Sequence, residues 1–212
     1  MELVNEAAEK YAINISSTET DLLAVVNLQT NITHAHAHML SGALQGNFLS
    51  LLSCLLQPER ILEIGTFTGY SALSMAAGLK TKGVLHTIEI REDDAETARH
   101  YFEQSVYKDK IILHVGDAKK ILNVLKEEWD IVFIDADKTS YLDYYEIILP
   151  AVKQNGLIIA DNVLFHGQVL EKNISGKNAK AIHEFNEHVK NDKRVEQVLL
   201  TIRDGLLLIR KL

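Results

Sequence analysis

Four things are scarce in this 212-residue sequence, and each narrows what the chain can be. Cysteine occurs once, at Cys54. A lone thiol cannot close an internal disulfide, so the fold rests on its core and a reducing compartment, the cytoplasm, is expected. Cys54 stands in the apolar run 48–56 and is expected to be buried as a small hydrophobe. Proline occurs only at Pro58 and Pro150, and no Pro/Gly/Ser-rich linker, low-complexity tract or repeat interrupts the sequence, so one domain over 1–212 is expected. Positive charge is in deficit, 22 Lys and Arg against 29 Asp and Glu, for a net charge of −7. That balance argues against a duplex nucleic acid or an anionic membrane surface as partner. No run approaches the ~18 consecutive apolar residues of a membrane span, and residues 1–6 lack the basic start and apolar run of a signal peptide.

What the sequence does contain is a change of period. Residues 1–57 read as a helical cap, with Leu22, Leu23, Val26 and then Leu40, Ala43, Leu44, Phe48, Leu51 and Leu52 recurring near every 3.6 positions. After Pro58, short β-rich runs alternate with amphipathic ones. Strands are predicted at 61–64, 84–89, 111–115, 130–134 and 157–160. Helices are predicted at 70–78, 93–106, 118–126, 141–152 and 179–190. Such alternation gives parallel strands joined by crossover helices. Two last strands, 195–201 and 206–210, flank Arg203-Asp204-Gly205, whose Asp-Gly pair is a hairpin signal. The expected fold is α/β: a Rossmann-like sheet of seven strands with helices on both faces and an antiparallel hairpin at its C-terminal edge.

In such sheets ligands bind beyond the carboxyl ends of the strands. The first strand runs into Glu63-Ile64-Gly65-Thr66-Phe67-Thr68-Gly69-Tyr70-Ser71. Gly65 and Gly69 allow a tight turn and close backbone approach. Their Gly-x-x-x-Gly spacing lacks the third glycine of the dinucleotide fingerprint, which weakens a nicotinamide-dependent oxidoreductase reading. Glu89 closes the second strand about 20 residues past the loop, where a carboxylate accepts hydrogen bonds from ribose hydroxyls. Asp117, after the third strand, either meets an adenine amino group or caps the next helix.

Two further strands end in acid, Ile131-Val132-Phe133-Ile134-Asp135 and Leu157-Ile158-Ile159-Ala160-Asp161-Asn162. Neighbouring parallel strands bring Asp135, Asp161 and Asn162 to one edge. Three oxygen donors without His or Cys suit a hard cation, Mg²⁺ foremost, with Mn²⁺ and Ca²⁺ as alternatives. Otherwise Asp135 and Asp161 are N-caps or loop residues. Lys138, three residues after Asp135, becomes a general base if it points inward and a nearby cation lowers its pKa; otherwise it is a surface lysine opening a helix.

These segments together resemble the cation-dependent O-methyltransferases of the catechol and caffeoyl-coenzyme A type, over about residues 38–212. The most specific pieces are the 62–71 loop, Phe133-Ile134-Asp135-Ala136-Asp137-Lys138 and Ala160-Asp161-Asn162-Val163-Leu164-Phe165-His166-Gly167. The resemblance implies the class I methyltransferase sheet and S-adenosylmethionine as cosubstrate. It implies that Asp135, Asp161 and Asn162 bind the metal and that Lys138 takes the proton from the reacting hydroxyl. Glu89 matches the ribose acid, Gly65 and Ser71 lie near the methionine moiety, and the Ala118 backbone meets the adenine. Glu63, Phe67, Gly69, Asp117 and Asp135 complete the expected cofactor set, with Met39, and Ser41 beside it, at the mouth shared with substrate. A homodimer is implied, with the apolar N-terminal helices as its surface. Ala136 follows the caffeoyl-coenzyme A branch, where animal catechol enzymes carry histidine. The acceptor expected is a small catechol-like molecule; the residues that choose it lie in the N-terminal helices and the 167–177 loop. A non-catalytic S-adenosylmethionine-binding protein is the other reading, although such a protein is expected to have lost a ligand or the base. The run His34-Ala35-His36-Ala37-His38 is expected to begin a helix that spreads its imidazoles around the axis, as a solvated or substrate-facing patch. His166 faces the substrate or is a structural loop residue.

Overall fold

The computed structural model describes residues 4–212; residues 1–3 of the segment read as helical lie outside them. Seven strands form one sheet in the order β3-β2-β1-β4-β5-β7-β6, the expected class I arrangement. By their contacts, residues 6–118 make one compact unit and residues 119–212 the body of a second.

The first unit opens with α1 (Glu6–Ile15), α2 (Asp21–Thr33) and α3 (Gly42–Leu56). Thr20 caps α2 through its hydroxyl, which accepts from the Leu23 N–H. Gln57, in the left-handed conformation, closes α3 immediately before Pro58, where a helix cannot continue. Then come β1 (Arg60–Ile64), α4 (Tyr70–Ala76), β2 (Val84–Glu89), α5 (Glu92–Gln104) and β3 (Ile111–Val115). β1 and β2 are buried almost throughout, as parallel strands covered on both faces must be. Every residue of α4 is buried. It packs so tightly on α3 that a Cβ on Gly46 would lie 2.6 Å from Tyr70 Cε1.

Two expectations fail in this unit. Cys54 is exposed, because α3 turns Gln45, Gly46, Leu49 and Ser53 inward and leaves position 54 on the opposite face. The histidine run does not begin a helix. His34 ends α2 in extended backbone, and only a single 3₁₀ turn, Ala37–Met39, follows. The stretch Ala37–Leu56 is long and apolar enough by composition to cross a membrane. It is two pieces, however, broken at Leu40–Ser41, and its inward face packs on α4.

The second unit begins in α6 (Ala118–Val124) and continues with β4 (Trp129–Ile134), α7 (Tyr141–Ile148), β5 (Val152–Asp161), α8 (Lys177–Asn191), β6 (Val195–Leu200) and β7 (Leu206–Lys211). α7 stops short of Val152 because Pro150 forces a 3₁₀ turn at Leu149–Ala151. β5 starts five residues earlier than its apolar core suggests. Trp129 pairs with Val152 but Ile131 pairs with Leu157, so residues 153–156 bulge out, with Asn155 at φ 63°. β4 and β5 are parallel, and β7 is antiparallel to both β5 and β6.

Candidate active site

In the first unit the register fixes the loop after β1. Ile64 lies opposite Ile88, and the Gly65 N–H donates to the Ile88 carbonyl at 2.9 Å, so the glycine loop starts beside Glu89. Gly65 and Gly69 take φ of 100° and 89°, and Phe67 between them takes 50°. Glu89 is buried and organises this loop. One oxygen accepts from the Phe67 N–H at 2.8 Å, the other from the N–H groups of Ile90 and Arg91, both at 3.0 Å. The Phe67 ring lies against His34, edge-on at 4.6 Å, and beneath Arg91 at 5.6 Å.

Glu63, fully buried, is held by hydroxyls. Ser71 and Thr87 each donate to it at 2.5 Å. Thr66 and Thr87 are also 2.5 Å apart, and since Thr87 gives its proton to Glu63, Thr66 must be the donor to Thr87. Glu63 and Ser71 thus bond to each other beneath the loop, while Asp117 is exposed and Ala118 buried at the end of β3. Met39 is exposed in the 3₁₀ turn and Ser41 is buried. His34 is no solvated residue: the His36 N–H donates to its Nδ1 at 3.0 Å, so Nε2 carries the hydrogen and donates to Asp94 at 2.8 Å.

In the second unit Ile134 lies opposite Ala160, which places Asp135 just past the end of β4 beside Asp161, the last residue of β5. The Lys138 ammonium gathers the cluster, 3.0 Å from Asp135 Oδ1, 2.8 Å from Asn162 Oδ1 and 2.7 Å from the Tyr141 hydroxyl. Asp161 is buried and accepts from the Asn162 N–H at 2.6 Å. Asn162 has φ 57°, a conformation asparagine tolerates better than most residues.

Burial by itself would push the Lys138 ammonium down. The oxygen of Tyr141 and the carboxylates of Asp135 and Asp161 outweigh it, and the pKa is raised. The expected fall is therefore corrected for this arrangement: with two carboxylates facing it, Lys138 is their counter-ion. Burial pushes the Tyr141 phenol above its usual range as well, so its hydroxyl stays protonated. The donor set fits a hard cation. Asp135 and Asn162 already turn oxygens towards one positive charge, and nitrogen and sulfur ligands are absent from the set.

Sequence reasoning missed two members of this cluster. Tyr141 anchors it: the hydroxyl lies 2.9 Å from the Asp161 carbonyl and 3.2 Å from that of Ile134. Its spacing from Lys138, one helical turn, was the available signal. Asp204 has the sequence signature of a hairpin turn alone. It accepts from Asn162 Nδ2 at 3.4 Å and from the His166 N–H at 2.6 Å. His166 is itself exposed.

Comparison with known proteins gives the family. Residues 13–212 match the O-methyltransferase family model. A caffeoyl-CoA O-methyltransferase of Populus kitakamiensis is 36% identical over 180 residues, 79% of this chain and 76% of that protein. The structure of an SAH-bound methyltransferase from Podospora anserina superposes with a TM-score of 0.91 at 28% identity, over 99% of this chain and 97% of that one. An O-methyltransferase from Bacillus cereus in complex with SAH gives 0.86 at 30% identity, over 97% of each chain. With the family model spanning nearly all of the sequence, the chain belongs to the O-methyltransferase family of enzymes, on the class I, S-adenosylmethionine-dependent fold.

Proposed function

We propose that this enzyme transfers the methyl group of S-adenosylmethionine to one hydroxyl of a small catechol-like acceptor, with a divalent cation at Asp135, Asp161 and Asn162. The observation that carries the reading is the turning of Asp135 and Asn162 oxygens onto one cation, Lys138, at the ends of two adjacent strands. Solvated strand-end residues have no reason to converge in this way.

The cation, Mg²⁺ foremost, would supply Lewis acidity, lowering the pKa of an acceptor hydroxyl. The chain's own residues do the rest. Glu89 and the 65–71 loop hold the methyl donor, with Asp117 and Ala118 at its adenine end and Met39 at its mouth. Asp135, Asp161 and Asn162 orient the acceptor. A cation held by Asp135, Asp161 and Asn162 would share the carboxylates that face Lys138 and favour its neutral amine, and Lys138 is the base placed to take the hydroxyl proton. The oxygen attacks the sulfonium methyl, an O–CH₃ bond forms as the S–CH₃ bond breaks, and S-adenosylhomocysteine leaves neutral at sulfur. Alignment of the reactants can supply ~7–11 kcal/mol of the barrier reduction.

A homodimer is part of this reading. Exposed apolar side chains on the first three helices, Tyr11, Ile15, Leu28, Ile32, Leu51 and Leu55, suit a second copy, and light scattering on the purified protein tests it. The exposed single thiol of Cys54 suits a cytoplasmic location.

The deciding experiment incubates purified protein with S-adenosylmethionine and a panel of catechols, including a caffeoyl ester, in Mg²⁺ or in EDTA. Methylated product that vanishes with EDTA supports the reading. Product indifferent to EDTA means that Asp135, Asp161 and Asn162 are not a metal site.

A further inference from the structure

The side chain of Asn162 is gripped from both sides. Its Oδ1 lies 2.8 Å from the Lys138 ammonium and its Nδ2 lies 3.4 Å from Asp204 Oδ2. An ammonium only donates and a carboxylate only accepts. Between the two, a single orientation of the amide is allowed, and the usual ambiguity between its oxygen and nitrogen disappears.

Asp204 does more than meet the amide. Its Oδ1 accepts from the His166 N–H at 2.6 Å. The backbone beside it is stitched to the same loop, Leu164 N–H to the Asp204 carbonyl at 2.9 Å and Val163 N–H to that of Gly205 at 3.2 Å. Within this loop Asn162, Phe165 and His166 all take positive φ, 57°, 43° and 54°. Non-glycine residues persist there only when their surroundings over-determine them. Gly205, at φ 88°, packs so closely that a Cβ would come 2.6 Å from Leu164 Cγ. The hairpin turn and the loop after β5 are thus one packed body, with the Asp204 carboxylate bridging Asn162 and His166.

We propose that Asp204 is a positioning residue of the cation site, holding the Asn162 amide with its oxygen towards the cation and its nitrogen away. The inference rests on the reading of Asp135, Asp161 and Asn162 as cation ligands. A carbonyl oxygen is a ligand, whereas an NH₂ group in its place is repelled. Outer partners that fix a ligand's orientation commonly carry 10–100-fold in metal affinity. Asp204 meets the strand edge by register: Leu206 lies opposite Asp161, so a turn residue two positions earlier arrives beside Asn162.

The test is Mn²⁺ binding by calorimetry, without S-adenosylmethionine or acceptor, on five proteins: the unaltered chain, Asp204→Asn, Asp204→Glu, Asn162→Asp and the double variant that joins Asn162→Asp to Asp204→Asn. An asparagine at 204 can accept from Asn162 or from the His166 N–H, not both, and Mn²⁺ binding should weaken about 10-fold or more. Made in the Asn162→Asp background, where a carboxylate presents an oxygen to the cation whichever way it turns, the same change should weaken binding far less. Asp204→Glu keeps the charge but displaces it, and should also weaken binding. S-adenosylmethionine affinity and melting temperature of Asp204→Glu should stay near those of the unaltered chain. Equal weakening by Asp204→Asn in both backgrounds, with none for Asp204→Glu, would mean that the residue acts through charge alone and overturns the proposal. So would unchanged affinity throughout. Absence of Mn²⁺ binding by the unaltered chain overturns the cation reading itself, and this inference with it.

Discussion

The Asn162 amide oxygen lies 2.8 Å from the Lys138 ammonium, and the same ammonium reaches Asp135 at 3.0 Å. A lysine thus stands where the proposed cation ligands converge. On that reading Lys138 and a divalent cation would compete for the same oxygens, and the residue would change role with the occupant, from counter-ion to base.

Removing the lysine should therefore have opposite effects on two measurements. Lys138→Met is expected to lower kcat by roughly 10²–10⁴-fold, the usual contribution of a positioned general base. It should at the same time tighten Mn²⁺ binding several-fold, since one positive charge no longer opposes another. Calorimetry and steady-state turnover on the same preparation check this. Weaker Mn²⁺ binding would mean that Lys138 does not compete for these oxygens.

Asp161→Ala tests the cation site from the other side. Its carboxylate is buried at the end of β5, and its loss should reduce turnover on the order of 10³-fold, the several kcal/mol of a metal's contribution. Affinity for S-adenosylmethionine should remain within a few-fold. A titration of activity against Mg²⁺ that looks normal in this variant would sink the assignment.

Glu89 should behave in the converse way. Three backbone N–H groups bind its carboxylate and shape the Phe67 loop, and the proposed ribose contact uses the remaining acceptor capacity. Glu89→Gln can serve these donors with one oxygen only. Hydrogen bonds to charged groups contribute about 1.5–3 kcal/mol, so the Kd for S-adenosylmethionine should rise about 10–100-fold. With cofactor saturating, kcat should change little. A fall in kcat at unchanged Kd would place Glu89 in the chemistry instead.

The strands and the two acid-ended runs were legible because burial on both faces leaves an uninterrupted apolar signature, and a polar residue closing such a run is conspicuous. Asp135, Asp161 and Glu89 stand out as candidates in that way. What escaped notice depends on long-range register. Asp204 has a sufficient local explanation as a turn residue, and only the pairing of Leu206 with Asp161 brings it to Asn162. Tyr141 likewise reads as one more apolar position of an amphipathic helix. Cys54 was misjudged because α3 is apolar on both faces, with Leu51, Leu55 and Leu56 exposed beside it. In such a helix, periodicity does not say which side is inward. The early start of β5 was hidden by its bulge, since Asn155-Gly156 has the composition of a loop.

Away from the cation site, Asp192 provides a pH test of the fold. Glu146, His188 and Asp192 bring ligand atoms close enough to hold a metal, but the Arg194 guanidinium already occupies that place. It donates to Glu146 at 2.8 Å and to Asp192 at 2.6 Å, and Tyr145 donates to Asp192 at 2.8 Å. The Arg194 hydrogen bonds hold the Asp192 carboxyl well below the usual carboxylate range. A carboxyl whose folded pKa is depressed binds its proton more readily in the unfolded chain. Its stabilisation is therefore complete above the unfolded value of about 3.9 and is lost as pH falls through the lower folded value. Because Arg194 is half exposed, water and salt screen the pair, and about 1 kcal/mol is expected at neutral pH. Asp192→Asn should accordingly be less stable than the unaltered chain by that amount in urea melts at pH 7 and pH 5. The gap should narrow steadily as pH falls below about 4. A gap that persists undiminished at pH 2 would assign the loss to packing around Tyr145 rather than to the charge on Asp192.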